Sequence, residues 1–208
     1  MAHVFRNLVV AVALLASGTV CLSQEKAKPP VPSIYPVTWQ LKFEYGKPAR
    51  VVVNVPGRSA PQAYWYLPFS VTNTTNRERM YFPVFELVTE EGTIIRSDKS
   101  VPTAVIKEIR KEQGNRFLQP LIQAAGEFRL GEDETKYSAA VWAEPDLRMG
   151  HFSILVSGLS GESARVKNAK GEDVLLRKTL QLNFFVRGDE VYPGEDEVNE
   201  NALLWIMR

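Results

Sequence analysis

The segment 62–92 restricts the fold of this chain more than any other, because it carries the alternating pattern of β-strands on both sides of a turn. Within 62–72, apolar side chains recur at every second position, the period of a sheet with a buried face. One predicted face holds Ala63, Trp65, Leu67, Phe69 and Val71, and the other holds Tyr64, Tyr66, Ser70 and Thr72. The polar cluster 73–78 predicts a turn, and 79–88 predicts the return strand of a hairpin.

The rest of the chain continues the β pattern with one interruption. The segment 102–113 predicts a short helix, with Val105, Ile106 and Ile109 at helical spacing, Thr103 placed to cap its start and Gly114 to end it. The segment 115–130 fits neither period. Further strands are predicted at 37–45, 50–55, 93–96, 137–143, 151–159, 174–186 and 202–207. We therefore expect a mainly β fold, an antiparallel immunoglobulin-like β-sandwich with one short helix inserted.

The N-terminus predicts export. Residues 1–23 combine a cation at Arg6, an apolar run at 8–16 and a small, polar ending at Ser23, the pattern of a cleavable signal peptide. The apolar run is shorter than the ~20 residues that span a bilayer. Cleavage after Ser23 and cleavage after Gly18 both fit. A lipid anchor on Cys21 is an alternative that Val20 argues against, since that processing favours a small residue before the cysteine.

Behind the predicted signal peptide, the proline-rich segment 24–36 indicates an extended linker, and 37–208 indicates a single β-sandwich domain. Cys21 is the only cysteine, so the processed chain has no disulfide and depends on core packing. The expected location is the periplasm or the outside of a bacterial cell.

The charges of the chain are balanced. The sequence has 25 basic and 24 acidic residues, and cleavage at Ser23 removes Arg6 and no acid. Because the net charge is close to zero, the chain as a whole does not attract nucleic acid or anionic lipid electrostatically. The one biased run is 189–200, which has six acids and no base.

No catalytic, cofactor or metal signature is present, and no cofactor is predicted. The processed chain has one histidine, His151, with Ser153 two residues further along the same predicted strand, but no nucleophile elbow surrounds any serine. Gly-Glu-Asp recurs at Gly131, Gly171 and Gly194, where loop carboxylates can bind calcium or simply form soluble turns. A hydrolase or calcium-dependent enzyme using His151 and loop acids is therefore the alternative function.

Aromatic side chains provide the candidate binding residues. Tyr64, Tyr66 and Phe82 are predicted on the side of the hairpin away from the core, where exposed rings can contact a sugar or a peptide. A helix or the segment 117–125 can equally cover that face, and soluble proteins seldom expose so much apolar area. The sequence is therefore compatible with an open aromatic face and with a covered one.

Three stretches carry a resemblance: VTNTTNRERMYFPVFELVTEEG, AVWAEPDLRMGHFSILVSGLSG and LLRKTLQLNFFVRGDE. With them the chain resembles uncharacterised exported β-sandwich proteins of planctomycete-type bacteria, from about Tyr64 onward. The resemblance implies export and a β-sandwich, and it assigns no residue a role. We expect a non-enzymatic module that binds a protein or polysaccharide partner in the cell envelope or outside the cell.

Overall fold

The computed structural model describes residues 29–97, 101–145, 149–186 and 198–208. The predicted signal peptide, Cys21 and the Gly194 turn lie outside these residues. The helices are α1 (Thr103–Glu112) and α2 (Leu121–Ala124), and Glu132–Glu134 forms a 3₁₀ turn. The strands are β1 (Lys42–Tyr45), β2 (Ala49–Val53), β3 (Gln62–Thr72), β4 (Arg79–Tyr81), β5 (Val84–Val88), β6 (Ile94–Arg96), β7 (Gln119–Pro120), β8 (Gly126–Phe128), β9 (Lys136–Ala143), β10 (His151–Ser157), β11 (Ser163–Lys167), β12 (Asp173–Val186) and β13 (Val198–Met207).

The strands form two main sheets, which confirms the mainly β, antiparallel prediction. In the first sheet β3 pairs antiparallel with β9 and with both β1 and β2, and β7 adds to β9 in parallel. The second sheet has the order β11-β12-β10-β5-β6, with β13 also paired to β12. β4 and β8 form a separate short pair. An immunoglobulin-like strand order stays a prediction.

The predicted hairpin of 62–88 is wrong. β3 and β5 belong to different sheets: β5 pairs with β10 and β6, and β4 pairs with β8. Pro83 lies between β4 and β5, and a proline cannot donate to a strand ladder, so 79–88 is two strands rather than one. Alternation shows which side chains share a face, but it does not identify the neighbouring strand.

The main core lies between the two sheets. β3 contributes Trp65, Leu67, Phe69 and Val71, as the alternation predicts, and each is at most 5% exposed. The facing sheet contributes Phe85, Leu87, Phe152, Ile154, Val156, Leu180, Leu182 and Phe184. Burial of each such side chain stabilises the fold by roughly 1.5–3 kcal/mol.

The opposite face of β3 is also buried, because α1 packs against it. Val105, Ile106 and Ile109 of the helix form a second cluster with Tyr64 and Tyr66. The face of Tyr64 and Tyr66 is thus covered by a helix, which is one of the two alternatives that the sequence allows. The molecule therefore has three layers on this side. None of the helices among the described residues is both long and apolar enough to cross a membrane.

The helix prediction is confirmed and its start is corrected. Thr103 is the first helical residue and does not cap the helix, because Pro102 occupies the capping position. Gly114 ends α1 with a φ of 59°, a conformation that favours glycine, and its N–H donates to the carbonyl of Lys111. No strand is predicted within 160–173, whereas β11 forms a hairpin there with β12.

Candidate functional site

His151 has the contacts of an ordinary strand residue. It is exposed at the start of β10, and its ring packs on Phe185 with 4.4 Å between ring centroids. Ser153 hydrogen-bonds through its hydroxyl to Asn183 Oδ1 at 2.6 Å. Among the described residues, no hydrogen bond joins the His151 ring to a carboxylate or hydroxyl group. The pair therefore lacks the base and orienting group that nucleophilic catalysis requires.

The loop acids behave as turn residues where the structure describes them. Within 29–97, 101–145, 149–186 and 198–208, no group of three or more His, Cys, Asp or Glu side chains could hold a metal ion. Near Gly171, Asn168 Oδ1 accepts from the N–H groups of Lys170 and Glu172, and Asn168 Nδ2 donates to the Glu172 carboxylate. These contacts close the turn before β12.

Tyr64 and Tyr66, two of the three predicted binding residues, are buried under α1 at 8% and 1% exposure. The Tyr66 hydroxyl donates to Glu112 Oε2 at 2.9 Å and accepts from Gln113 Nε2 at 3.0 Å. Burial, followed by the Glu112 carboxylate, raises the pKa of Tyr66 to about 12. An open aromatic face at Tyr64 and Tyr66 is therefore wrong, because the helix supplies the apolar partners of these rings.

Phe82, the third predicted binding residue, is 61% exposed. It lines a small apolar pocket of about 220 Å³ with Leu121 and Ile122 of α2. Among the described residues, Arg96 is the only charged one that lines this pocket. The structure thus separates Phe82 from the two tyrosines rather than bringing the three rings together.

A larger concave site lies where the chain enters β1 and the turn after β3 meets it. We call it the Trp39–Arg79 groove, and its volume is about 640 Å³. Its walls are formed by Thr38, Trp39, Gln40, Thr75, Asn76, Arg77, Arg79 and Gly161. The groove thus unites three segments that are distant in sequence.

Asn73 holds the turn that forms one wall of the groove. It is fully buried, and its Nδ2 donates to the carbonyls of Arg77 and Phe128 at 3.1 and 2.9 Å. Its Oδ1 accepts from the N–H and hydroxyl groups of Thr75. An Asn side chain that satisfies its own turn in this way fixes the backbone. The Asn73 side chain therefore has a structural role.

Arg79 is the best-fixed cation of the groove. Its Nε donates to Thr75 Oγ1 at 3.2 Å, its Nη2 approaches Asn76 Oδ1 at 3.4 Å, and its guanidinium lies 5.2 Å from the Trp39 ring centroid. Desolvation and then the like charge of Arg77 lower the pKa of Arg79. Arginine nevertheless stays charged at neutral pH. Nη1 has no hydrogen-bond partner among the described residues, so it can bind a ligand.

Trp39 supports Arg79 and is itself held by the strand connection 158–162. Its carbonyl accepts from the Gly161 N–H at 3.1 Å and from the Ser160 hydroxyl at 3.3 Å. A Cβ atom at position 161 would overlap the Trp39 indole, so only glycine allows this close approach. Trp39 therefore orients Arg79 rather than presenting both ring faces to a ligand.

The groove has a positive local charge even though the whole chain is balanced. Among the described residues, it is lined by two guanidinium groups and no carboxylate. The neighbouring acid Glu162 is already paired with Lys178, at 3.2 Å. Such a site attracts carboxylate, sulfate or phosphate groups, because guanidinium binds them with charge-assisted hydrogen bonds.

Sequence reasoning missed this site. The sequence places Trp39 in the predicted strand 37–45, Arg77 in the predicted turn 73–78 and Arg79 at the start of the predicted return strand 79–88. The only local signal is that the two arginines lie two residues apart. No protein-family model, no curated protein and no solved structure matches the chain.

Proposed function

We propose that the protein is an exported, non-enzymatic β-sandwich module that binds an anionic partner through the Trp39–Arg79 groove. The observation that carries this proposal is the fixed position of Arg79, which contacts Thr75, Asn76 and Trp39 beside the exposed Arg77. A guanidinium that is already oriented loses little conformational freedom when it binds.

An acidic polysaccharide of the cell envelope is the partner that this site favours. The groove is open and polar, with the hydroxyl groups of Thr38 and Thr75 and the amides of Gln40 and Asn76 beside the two cations. Sugar hydroxyls and carboxylates together require this mixture of donors and acceptors. Export rests on the predicted signal peptide and on the resemblance to exported β-sandwich proteins, and binding of an acidic protein segment is the other outcome of the test.

The test is retention on an immobilised polyuronate, compared with a neutral polysaccharide, over a range of salt concentrations. We expect retention on the acidic polymer only and a decline as salt screens the charges. Arg79→Ala should weaken binding about tenfold or more, since a hydrogen bond to a charged group contributes about 1.5–3 kcal/mol. Arg77→Ala should have a smaller effect.

Arg58→Ala is the matched control, because Arg58 is exposed in another loop and outside the groove. It should bind like the unmodified protein. Equal retention of the Arg79→Ala variant, or no retention of the unmodified protein, would refute polysaccharide binding at this site. If an acidic protein segment binds instead and this binding also depends on Arg79, the groove remains the binding site but the partner is a protein.

A further inference from the structure

Beside the groove lies a short loop whose apolar side chains face water. Ile34, Tyr35 and Val37 are 92%, 82% and 68% exposed. Scattered apolar residues are common on protein surfaces, but adjacent side chains with this exposure mark interaction sites. Because Pro36 lies among them, 34–37 forms a compact apolar protrusion, which we call the 34–37 loop.

The 34–37 loop is fixed at its first end by a buried ion pair. The Ser33 N–H donates to Glu162 Oε1 at 2.8 Å, and the Ser33 carbonyl accepts from Lys178 Nζ at 2.8 Å. Lys178 is 1% exposed and pairs with the Glu162 carboxylate at 3.2 Å. Burial of two charges is costly unless they are paired and hydrogen-bonded, and Ser33 supplies one hydrogen bond to each of them.

The second end of the loop is fixed by Trp39, whose carbonyl is bound by Gly161 and Ser160. The 34–37 loop is therefore held against the rest of the domain at both Ser33 and Trp39. A protrusion held in this way keeps its apolar side chains in water at a defined place.

The loop and the groove are neighbours along the chain. Thr38, which directly follows the loop, already lines the groove with Arg77 and Arg79. Apolar and aromatic side chains beside cations match the surface of an anionic bilayer, where rings occupy the interfacial region and guanidinium groups contact headgroup phosphates. A net charge near zero for the whole chain does not oppose binding to such a bilayer. Salt screens charges beyond about 10 Å, so the arginines nearest the bilayer determine the attraction.

We propose that the 34–37 loop and the Trp39–Arg79 groove together form a docking surface for a lipid bilayer with anionic headgroups. Ile34, Tyr35 and Val37 enter the interfacial region, while Arg77 and Arg79 bind the headgroups. The proposal rests on the proposed function, because it uses the same guanidinium groups, and it adds an apolar contact that a polysaccharide does not require.

The experiment is co-sedimentation of the exported protein, shown by mass to lack residues 1–23, with vesicles. We expect binding to phosphatidylcholine vesicles that contain phosphatidylglycerol and little binding to pure phosphatidylcholine. The double variant Ile34→Ser/Tyr35→Ser should bind the anionic vesicles about tenfold more weakly or worse, because it loses the buried apolar area. Its melting temperature and its retention on polyuronate should not change, since both side chains are exposed.

Leu175→Ser, which alters an exposed apolar residue of β12, is the matched control and should bind vesicles normally. Arg79→Ala should lose both vesicle and polyuronate binding. Normal vesicle binding by the double variant would overturn the proposal, as would equal binding to neutral vesicles. Polyuronate retention without vesicle binding overturns only the membrane proposal, whereas loss of both by the unmodified protein overturns the proposed function as well.

Discussion

Two concave sites lie at opposite ends of β5 and β10 and differ in charge. Among the described residues, the Trp39–Arg79 groove encloses about 640 Å³ and is lined by two arginines and no acid. The cavity at the other end, which we call the Glu90 cavity, encloses about 710 Å³, and the charged residues in its described lining are Glu90 and Glu91. Size alone would therefore favour the Glu90 cavity.

The difference lies in how the charged groups are held. Arg79 has three fixed contacts, and its Nη1 has no hydrogen-bond partner among the described residues. Glu90 accepts the backbone N–H of His151 at 3.3 Å, and Glu91 is exposed with no hydrogen bond or ion pair to any described residue. A binding site needs charges whose positions are set before the ligand arrives. The comparison teaches that preorganisation, rather than volume, identifies the groove.

The largest expected effect concerns the turn that forms the groove wall. Asn73→Ala should lower the free energy of unfolding by about 3 kcal/mol, because it removes buried hydrogen bonds and leaves the Phe128 carbonyl without its donor. Urea denaturation measures this change. Glu91→Ala in the Glu90 cavity should change stability by less than about 0.5 kcal/mol. Similar shifts in both variants would show that the two turns are equally loose.

The next effect concerns the contact beneath Trp39. Gly161→Ala should cost about 1–3 kcal/mol, since its new methyl group must displace the indole, and it should weaken polyuronate binding and shift the tryptophan fluorescence. Gly171→Ala is the control: its φ of 80° makes alanine strained, but no atom lies within 4 Å of the new Cβ. That variant should lose some stability and keep full binding. Unchanged binding by Gly161→Ala would argue against Trp39 as the support of Arg79.

A third prediction concerns acid and the anchor of the 34–37 loop. Burial raises the pKa of Glu162, but the Ser33 N–H and the Lys178 ammonium outweigh it, so the pKa lies below its ordinary value of 4.5. A carboxyl group with a lowered folded-state pKa stabilises the protein fully above pH 4.5 and loses that contribution as the pH falls through the folded pKa.

Glu162→Gln should therefore melt at a lower temperature near pH 7, and its melting temperature should fall less than that of the unmodified protein between pH 6 and pH 3. Glu91→Gln should reproduce the unmodified pH dependence, because Glu91 has no ion pair to the described residues. Thermal melts across this range measure the difference. Parallel curves for Glu162→Gln and the unmodified protein would count against the ion pair as the acid-sensitive contact.

The smallest expected effect is at the Glu90 cavity. His151→Ala should change stability by less than about 0.5 kcal/mol and leave polyuronate binding intact, because the side chain is exposed and packs on the Phe185 ring. A turnover on ester, peptide or glycoside substrates that His151→Ala abolishes at an unchanged melting temperature would favour the enzyme alternative.

Much of the fold follows from local patterns in the sequence. The period of two identified β3, β9, β10 and β12, and the spacing of Val105, Ile106 and Ile109 identified α1. Thr72 shows the limit of this approach. The alternation puts it on the non-core face, where its loss should cost little, yet it is 1% exposed and its hydroxyl hydrogen-bonds to Thr135 at 2.8 Å. Periodicity separates the two faces of a strand, but it cannot show that other parts of the molecule bury both.

The sequence did not predict the candidate site because this site, too, depends on contacts between distant segments. Residue types that perform catalysis drew attention to His151, whereas the groove is formed by Trp39, a turn after β3 and the glycine at 161.

The sequence by itself determined the mainly β class, the strands with clear alternation and the short helix, because these depend on side chains a few residues apart. Only the tertiary structure decided that β3 and β5 lie in different sheets, that α1 buries Tyr64 and Tyr66, and that Arg79 stacks on Trp39. Those outcomes depend on contacts between distant segments. Packing across the whole molecule sets the free energies of these contacts, and they produce no pattern of regularly spaced residues in the sequence.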